Sequence, residues 1–274
     1  FELLSFWVIS NTYCMVYIFL LMIGMNLYTT DERENKALLI LLSMVICWLT
    51  LSRAEMSVCM ACIVCLISFL PLTQREMLTL SVPMMVVQLL YLIELNYQQA
   101  ISVKNVYDSM LTPAIQAIIT VATVGCVIYS FFINSKFFSW IRKKINIIVF
   151  AVLPGICIAI YFLDKEKYVK SIESIIYNFK TQYWGYLPAL ILILYIMIVL
   201  NKRINFWLIF STGYVLINLI LCLGRKHPLR NGYGDSCNRI MMSAIPVVFF
   251  ALICSVLEIV ALRIKENREQ EEYK

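Results

Sequence analysis

The amino-acid sequence predicts an all-α protein that crosses a membrane several times. Hydrophobic residues make up 61% of the 274 residues, charged residues only 15%, and the mean hydropathy is +0.81. A soluble globular domain carries roughly 25% charged residues, so the composition excludes that class. The apolar residues also occur in runs of about 15 to 25 residues, which suit helices in a bilayer. These observations predict a polytopic bundle of transmembrane helices.

Apolar segments follow one another along the chain with no soluble domain between them. The first, 3–27, is long enough to span, whereas the next two, 37–51 and 56–70, are shorter. We therefore expect about nine membrane helices in a domain 1–262, followed by a charged cytoplasmic tail 263–274. A bundle tolerates prolines such as Pro83, Pro154 and Pro188, because neighbouring helices can bind the freed carbonyls. The remaining segments are 78–95, 111–134, 147–162, 187–200, 206–223 and 240–262.

The start of the chain is apolar and has no charged leader or small-residue cleavage site, so it does not resemble a signal peptide. Because the sequence begins at Phe1, we expect it to be the C-terminal part of a longer protein. On this interpretation, N-terminal helices and a first outer loop precede it.

Basic residues between the apolar runs predict the orientation of the helices and give no indication of nucleic-acid binding. The net charge is +6, and the two short connections 135–146 and 201–205 are rich in lysine and arginine. Both connections are expected on the cytoplasmic side. Alternation of the helices then keeps the connection around Arg75 in the cytoplasm and places four polar connections on the extracytoplasmic side, namely 52–55, 96–110, 164–186 and 225–239.

Most of the 10 cysteines lie inside apolar runs, which does not indicate a disulfide framework. Buried there, they are expected to behave as small hydrophobic residues. Cys59, Cys62 and Cys65 have a spacing that suggests a metal, but the segment lacks the further ligands that a closed site needs, so we expect no metal site. Cys237 lies in a loop and has no obvious disulfide partner.

The polar segment 225–239, RKHPLRNGYGDSCNR, is the leading candidate for a functional site. It contains the only histidine of the chain, and an apolar helix follows it, with Pro246 expected about two turns in. Cations at a membrane helix end are costly to keep without a use. Their combination with polar side chains and two glycines favours a binding site for an anionic group, and the alternative is a solvated loop with interfacial anchors. The candidate residues are His227, Arg230, Asp235, Asn238 and Arg239.

A second candidate site is the junction between the two short apolar runs, where Arg53 and Glu55 occur. Two short helices would draw this junction into the headgroup region or into protein, and charged residues there indicate function. The alternative is an ion pair that neutralises a tight turn. We expect the junction and segment 225–239 to approach each other in the folded bundle, because recessed charges are less costly when they share partners.

The connection 164–186 is expected to form an amphipathic helix in the membrane interface. Val169, Ile172, Ile176 and Phe179 share one helical face, and charged residues lie elsewhere. Aromatic residues then follow in the range 183–186, as in an interfacial belt. The alternative is a plain extracytoplasmic loop.

Two of these motifs resemble those of membrane glycosyltransferases with the GT-C fold. Leu51–Glu55, LSRAE, is similar to the Thr-Arg-x-Glu-Gly type of junction in that family, although Met56 stands where glycine is common. Gly234–Arg239, GDSCNR, followed by Pro246, resembles the passage from an Arg-containing loop into the last helix, although Cys-Asn-Arg replaces the frequent Arg-Tyr. The resemblance extends over about residues 20–262 and includes interfacial helices on the outer face.

The resemblance implies transfer of a sugar from a polyprenyl-phosphate carrier to a glycan, lipid or protein acceptor. The reaction would occur on the extracytoplasmic face of a bacterial, archaeal or endoplasmic-reticulum-type membrane. The lipid-linked donor is the substrate, no cofactor is firmly implied, and the role of a divalent metal stays open. The family's catalytic carboxylate lies in a first outer loop, which would precede Phe1, and Asp235 is the alternative base.

The same resemblance assigns roles to the remaining candidates. Arg53, Arg230 and Arg239 would stabilise the charge that develops on the leaving lipid phosphate. His227 would assist by a hydrogen bond. Glu55 and Asp235 would orient these arginines or hold acceptor hydroxyl groups, and Asn238 completes the substrate-binding set.

Two other classes of protein stay open. An O-antigen-type ligase or polymerase also has an apolar segment broken by Ser-Arg, but its long outer loop should contain arginine and histidine, which 164–186 lacks. A transporter should show internal repeats and glycine-rich broken helices. The sequence shows neither.

The orientation can be tested by single-cysteine labelling in intact cells. Positions 143 and 202 should react only after the membrane is permeabilised, and positions 170 and 235 should react from outside, because basic connections stay in the cytoplasm. Labelling of positions 143 and 235 from the same side would contradict this topology.

Overall fold

The computed structural model describes residues 2–30, 35–52, 54–101, 113–181, 205–224 and 243–272, together with 189, 192, 193, 195 and 196. Within these ranges the secondary structure is helical and no strand occurs, which confirms the all-α prediction there. A π-helical turn, Ile148–Val152, joins α7 to α8. The helices are α1 Glu2–Thr30, α2 Lys36–Ser52, α3 Ala54–Ile67, α4 Gln74–Ile101, α5 Pro113–Phe131, α6 Lys136–Arg142, α7 Ile145–Ile147, α8 Leu153–Leu163, α9 Lys165–Thr181, α10 Phe206–Gly224 and α11 Ala244–Glu272.

Five helical segments in the described part of the chain are long and apolar enough to cross a membrane. Large hydrophobic side chains are exposed along them, as expected where lipid is the neighbour. The protein is therefore an integral membrane protein by helix length and composition. The expected number of about nine spans is not confirmed. Segment 187–200 lies largely outside the described residues, and three apolar helices, Lys36–Ser52, Ala54–Ile67 and Gln116–Phe131, are shorter than a span. The five segments are Tyr13–Thr30, Gln74–Glu94, Ile145–Leu163, Phe206–Leu223 and Ala244–Ile264.

The chain forms two compact units, Phe1–Ile145 and Asn146–Lys274. In the first unit, α4 packs against α2 and α5, and α1 packs against α2. A Cβ atom on Gly24 would lie 2.5 Å from Leu42 Cδ2, so glycine permits the close approach of α1 to α2.

Hydrogen bonds join helices at both ends of the first unit. Tyr28 Oη donates to Glu76 Oε1 at 2.6 Å, which links the end of α1 to the start of α4. At the other end, Asn96 and Gln116 exchange two side-chain hydrogen bonds of 2.9 and 3.1 Å. The helices α1, α4 and α5 therefore alternate in direction, as a bundle with short connections requires.

In the second unit, α10 lies against α8, α9 and α11. Trp207 of α10 and Phe250 of α11 pack edge to face with ring centroids 5.0 Å apart. Leu208 and Leu252 form a buried cluster beside them. These contacts hold α10 and α11 together as an antiparallel pair.

Polar caps fix the first residues of several helices, since a side-chain oxygen binds one of the free N–H groups of the first turn. At α4 the cap is reciprocal: Thr73 N–H donates to Glu76 Oε2 at 2.6 Å, and Glu76 N–H donates to Thr73 Oγ1 at 3.3 Å. The cap residues of α2, α6, α9 and α10 are Asn35, Ser135, Asp164 and Asn205.

The two short helices that the sequence predicted around position 53 are confirmed. The helix α2 has 17 residues and α3 has 14. At about 1.5 Å per residue they are about 26 and 21 Å long, below the roughly 30 Å of a bilayer core. One end of each helix must therefore lie within the thickness of the membrane if the other reaches its surface.

Pro83 lies inside α4, and the neighbouring helix supplies the hydrogen bond that it removes. Proline has no N–H group, so the carbonyl of Thr79, four residues earlier, loses its usual helical donor. Ser43 Oγ of α2 donates to this carbonyl at 2.9 Å. The expectation that a neighbour would bind the freed carbonyl is confirmed at Pro83. At Pro154 the chain responds differently, with a π-helical turn immediately before the proline.

Several helix boundaries differ from the sequence-based prediction. The predicted connection 96–110 is helical as far as Ile101, and the predicted tail 263–274 is helical as far as Glu272. The first extension contains two glutamines and an alanine, and the second is rich in Glu, Gln, Lys and Arg. Neither contains proline or glycine, so helix propensity continues where hydropathy stops.

The contact between Ser43 and the Thr79 carbonyl can be tested by a double-mutant cycle. Ser43→Ala should lower the free energy of unfolding by about 1 kcal/mol, because it leaves a buried carbonyl without a donor. In a Pro83→Ala background the loss should largely disappear, since residue 83 then supplies its own N–H group. Unfolding in mixed micelles measures both values. Ser130→Ala, which removes a hydroxyl bound to its own helix, is the control, and equal losses in both backgrounds would contradict the interpretation.

Candidate functional site

The structure leaves the predicted binding set largely untested. Glu55 lies in the first turn of α3, and its side chain is outside the described part of the structure. The predicted approach of the junction to segment 225–239 therefore stays a prediction. The other candidates also lie outside the described residues: Arg53, His227, Arg230, Asp235, Asn238 and Arg239.

A polar stripe on α10 leads to this segment. Ser211, Tyr214 and Asn218 share one helical face, and they are 2%, 0% and 0% exposed. Ser211 Oγ and Asn218 Nδ2 donate to carbonyls of their own helix, at 2.9 Å each. The stripe was not predicted, although polar residues at helical spacing inside an apolar run indicate a buried face.

The Tyr214 side chain is the link between the stripe and the residues that follow the basic segment. Its hydroxyl lies 2.9 Å from Ser243 Oγ, and both side chains are buried. Ser243 immediately precedes α11, so the start of α11 lies beside the middle of α10. A buried pair of hydroxyl groups fixes this register, because separating them would leave two polar groups in an apolar environment.

The described residues that flank the basic segment, Gly224 and Ser243, consequently lie at different levels along α10. Gly224, the last residue of α10, comes ten residues after Tyr214. This corresponds to roughly 15 Å along the helix axis, or about half the thickness of a bilayer core. The chain therefore leaves α10 at the C-terminal end of that helix, whereas α11 begins beside the middle of α10.

This register corrects the expected start of the last helix. The sequence predicted a helix from position 240 with Pro246 about two turns in, whereas Ser243 is a turn and Pro246 lies in the first turn of α11. Proline is favoured in a first turn, because the N–H group that it lacks would have no helical partner there.

The predicted amphipathic helix is confirmed as α9, Lys165–Thr181, whereas its place in the membrane interface stays a prediction. Which of its faces packs against protein was not predicted. Ser171, Ser174 and Ile175 are buried, whereas Val169 and Ile176 of the predicted apolar face are 40% and 45% exposed. Small serines allow close packing against protein. The neighbouring apolar stripe remains at the surface, as an interfacial helix requires.

An apolar groove of about 720 Å³ lies between α2 and α4 in the first unit. Its walls include Met44, Trp48, Val82 and Pro83, and Ser43 contributes its bond to the Thr79 carbonyl. Such a groove on a membrane-facing surface can accommodate a hydrocarbon chain.

Two polar side chains on the buried face of α4 lack hydrogen-bond partners. Ser81 Oγ and both amide atoms of Gln88 are buried and unpaired, and both residues are 0% exposed. Buried polar atoms of this kind commonly bind an internal water molecule.

The cysteine triplet of α3 contacts a further thiol on α5. The side chains of Cys65 and Cys126 form a hydrogen bond. Across the described ranges, no group of three or more His, Cys, Asp or Glu side chains is arranged to hold a metal ion.

Comparison of the chain with protein-family models, curated proteins and solved structures found no match.

The register set by Tyr214 and Ser243 can be tested by amide hydrogen exchange. Tyr214→Phe should increase exchange at residues 248–251, whose N–H groups bond to carbonyls of the first turn of α11, because it removes the hydroxyl that holds this turn. Tyr195→Phe is the matched control: Tyr195 Oη contacts Thr212 Oγ1 at 3.1 Å, away from that start. Unchanged exchange in Tyr214→Phe would show that the bond does not fix α11.

Proposed function

We propose that this protein is a membrane glycosyltransferase of the GT-C type that transfers a sugar from a polyprenyl-phosphate-linked donor to an acceptor on the extracytoplasmic side. The observation that carries the proposal is the difference in level along α10 between the two described residues that flank the basic segment. One end follows Gly224 at the end of α10, and the other precedes Ser243 at the middle of that helix.

The composition of the segment suits a lipid phosphate. Between Gly224 and Ser243 the sequence contains four arginine and lysine residues, one histidine and one aspartate. Cations that enter the thickness of a membrane need anionic partners. A polyprenyl phosphate supplies such an anion, because its chain stays in lipid while its phosphate lies at the boundary. When the glycosidic bond breaks, the lipid phosphate leaves as an anion, and nearby positive charge stabilises it.

The pair of short helices gives separate support. Because α2 and α3 are each shorter than a bilayer core, the ends that meet around position 53 can lie within the membrane thickness. Arg53 and Glu55 would then serve as a second polar group at that depth. In the same unit, the apolar groove between α2 and α4 offers a surface for a lipid hydrocarbon chain.

The alternatives fit these observations less well. A ligase of the O-antigen type should contain arginine or histidine in its long outer loop, but α9 contains lysine as its only basic residue type. A transporter should contain helices interrupted by glycine or proline at mid-membrane. Instead, α4 continues from Gln74 to Ile101 through Pro83, and Ser43 compensates for the proline.

The proposal assigns Arg239 to the donor phosphate, which a lysine cannot replace fully. A guanidinium group binds two phosphate oxygens in a planar fork, whereas an ammonium group is a point charge. Arg239→Lys should therefore lose much of the transfer activity, and Arg239→Ala should lose more, on the order of 100- to 1,000-fold. The assay is transfer from a synthetic lipid-phosphate sugar by the full-length protein at matched expression.

Arg263→Lys is the matched control, because Arg263 is an exposed arginine on α11. It should retain full activity. Near-normal activity in Arg239→Lys would show that residue 239 is only an interfacial anchor, because either cation can extend to the headgroups.

A further inference from the structure

The helix α6 and the turn that follows it form a basic and aromatic surface in the first unit. We call it the α6 patch and define it as Lys136, Phe137, Trp140, Lys143 and Lys144. All five side chains are exposed, and Phe137 and Trp140 are 63% and 59% exposed. Exposed aromatic rings beside lysines are typical of residues at a membrane–water boundary.

The backbone beneath the patch is held by defined contacts. Ser135 caps α6 by accepting a hydrogen bond from Phe138 N–H at 3.3 Å. On the inner side, the Phe138 ring packs edge to face on Tyr129 of α5, with centroids 4.8 Å apart. Gln74 Nε2 of α4 donates to the carbonyl of Phe131 at 2.7 Å. The helix therefore has an inner face fixed to the bundle and an outer face that is free to contact another molecule.

On the outer face the two exposed rings lie between lysines along the chain. Lys136, Phe137, Trp140 and Lys143 are spaced at i, i+1, i+4 and i+7, which places them on one side of a helical turn. Aromatic rings insert at the boundary between acyl chains and headgroups, and lysine side chains extend to the phosphates above them.

The charge of the patch is not balanced by acids in the same stretch of chain. No aspartate or glutamate occurs from Pro113 to Leu163. Glu76, which lies at the same end of the first unit, accepts hydrogen bonds from Tyr28 and from Thr73 N–H. By contrast, α9 combines lysines with acids, and Lys170 forms an ion pair with Glu166.

We propose that the α6 patch is a binding surface for anionic phospholipid headgroups. Its positive charge complements the negative charge of such lipids, and its rings match the depth at which headgroups meet acyl chains. The α6 patch includes none of the candidate donor-site residues, and the proposal does not depend on the glycosyltransferase function.

The test is lipid binding by the purified full-length protein in neutral detergent micelles, where orientation in a cell membrane has no influence. Native mass spectrometry can count bound phosphatidylglycerol against phosphatidylcholine. The unmodified protein should bind phosphatidylglycerol preferentially, and Lys136→Gln/Lys143→Gln/Lys144→Gln should weaken that binding at least tenfold. Each lysine near an anionic surface contributes a factor of about five.

Two further variants distinguish the patch from a general effect of net charge. Lys165→Gln/Lys167→Gln/Lys170→Gln removes the same number of charges from α9 and should leave the preference unchanged. Lys136→Arg/Lys143→Arg/Lys144→Arg keeps the charge and should retain binding. The proposal is overturned if the two glutamine variants lose binding equally, if neither loses it, or if the arginine variant loses it as well.

Discussion

The need to satisfy every backbone hydrogen bond inside an apolar environment governs how these helices pack. The carbonyl of Thr79 shows the constraint in one place, because Pro83 removes its donor and Ser43 on another helix replaces it. In water a solvent molecule could have taken that role, but within lipid only protein can. The contact thus joins α2 to α4, and it also positions the walls of the apolar groove between them.

The same constraint operates on side chains in the second unit. Tyr214 and Ser243 are buried polar groups that contact each other, and a shift of α11 along α10 would separate them. Apolar packing alone tolerates such sliding more easily, because one leucine contact can replace another. A single polar pair can therefore set the depth at which the chain returns from the basic segment, and this depth is the basis of the proposed phosphate site.

Charged residues on short helices have different effects in the two units. In α6 the cations occur without acids and beside exposed rings, which leaves an uncompensated positive surface. In α9 acids and lysines alternate, and the helix packs its serines against protein. Both helices lie between longer apolar segments, so hydropathy alone does not distinguish them. The sign and spacing of the charges indicate which one suits an anionic lipid surface.

The sequence by itself determined the helical class, the membrane location, the two short helices around position 53 and the amphipathic helix α9. These features depend on local composition and periodicity, which a single segment contains in full. It also singled out the polar candidates, from Arg53 to Arg239, but their mutual distances depend on residues far apart in the chain. Only the tertiary structure decided that Ser43 binds the carbonyl that Pro83 leaves without a donor. It also decided that Ser171 and not Val169 faces protein, and that Ser243 lies beside Tyr214. Those outcomes depend on which neighbour is present at a given depth, and hydrophobic periodicity carries no information about the partner.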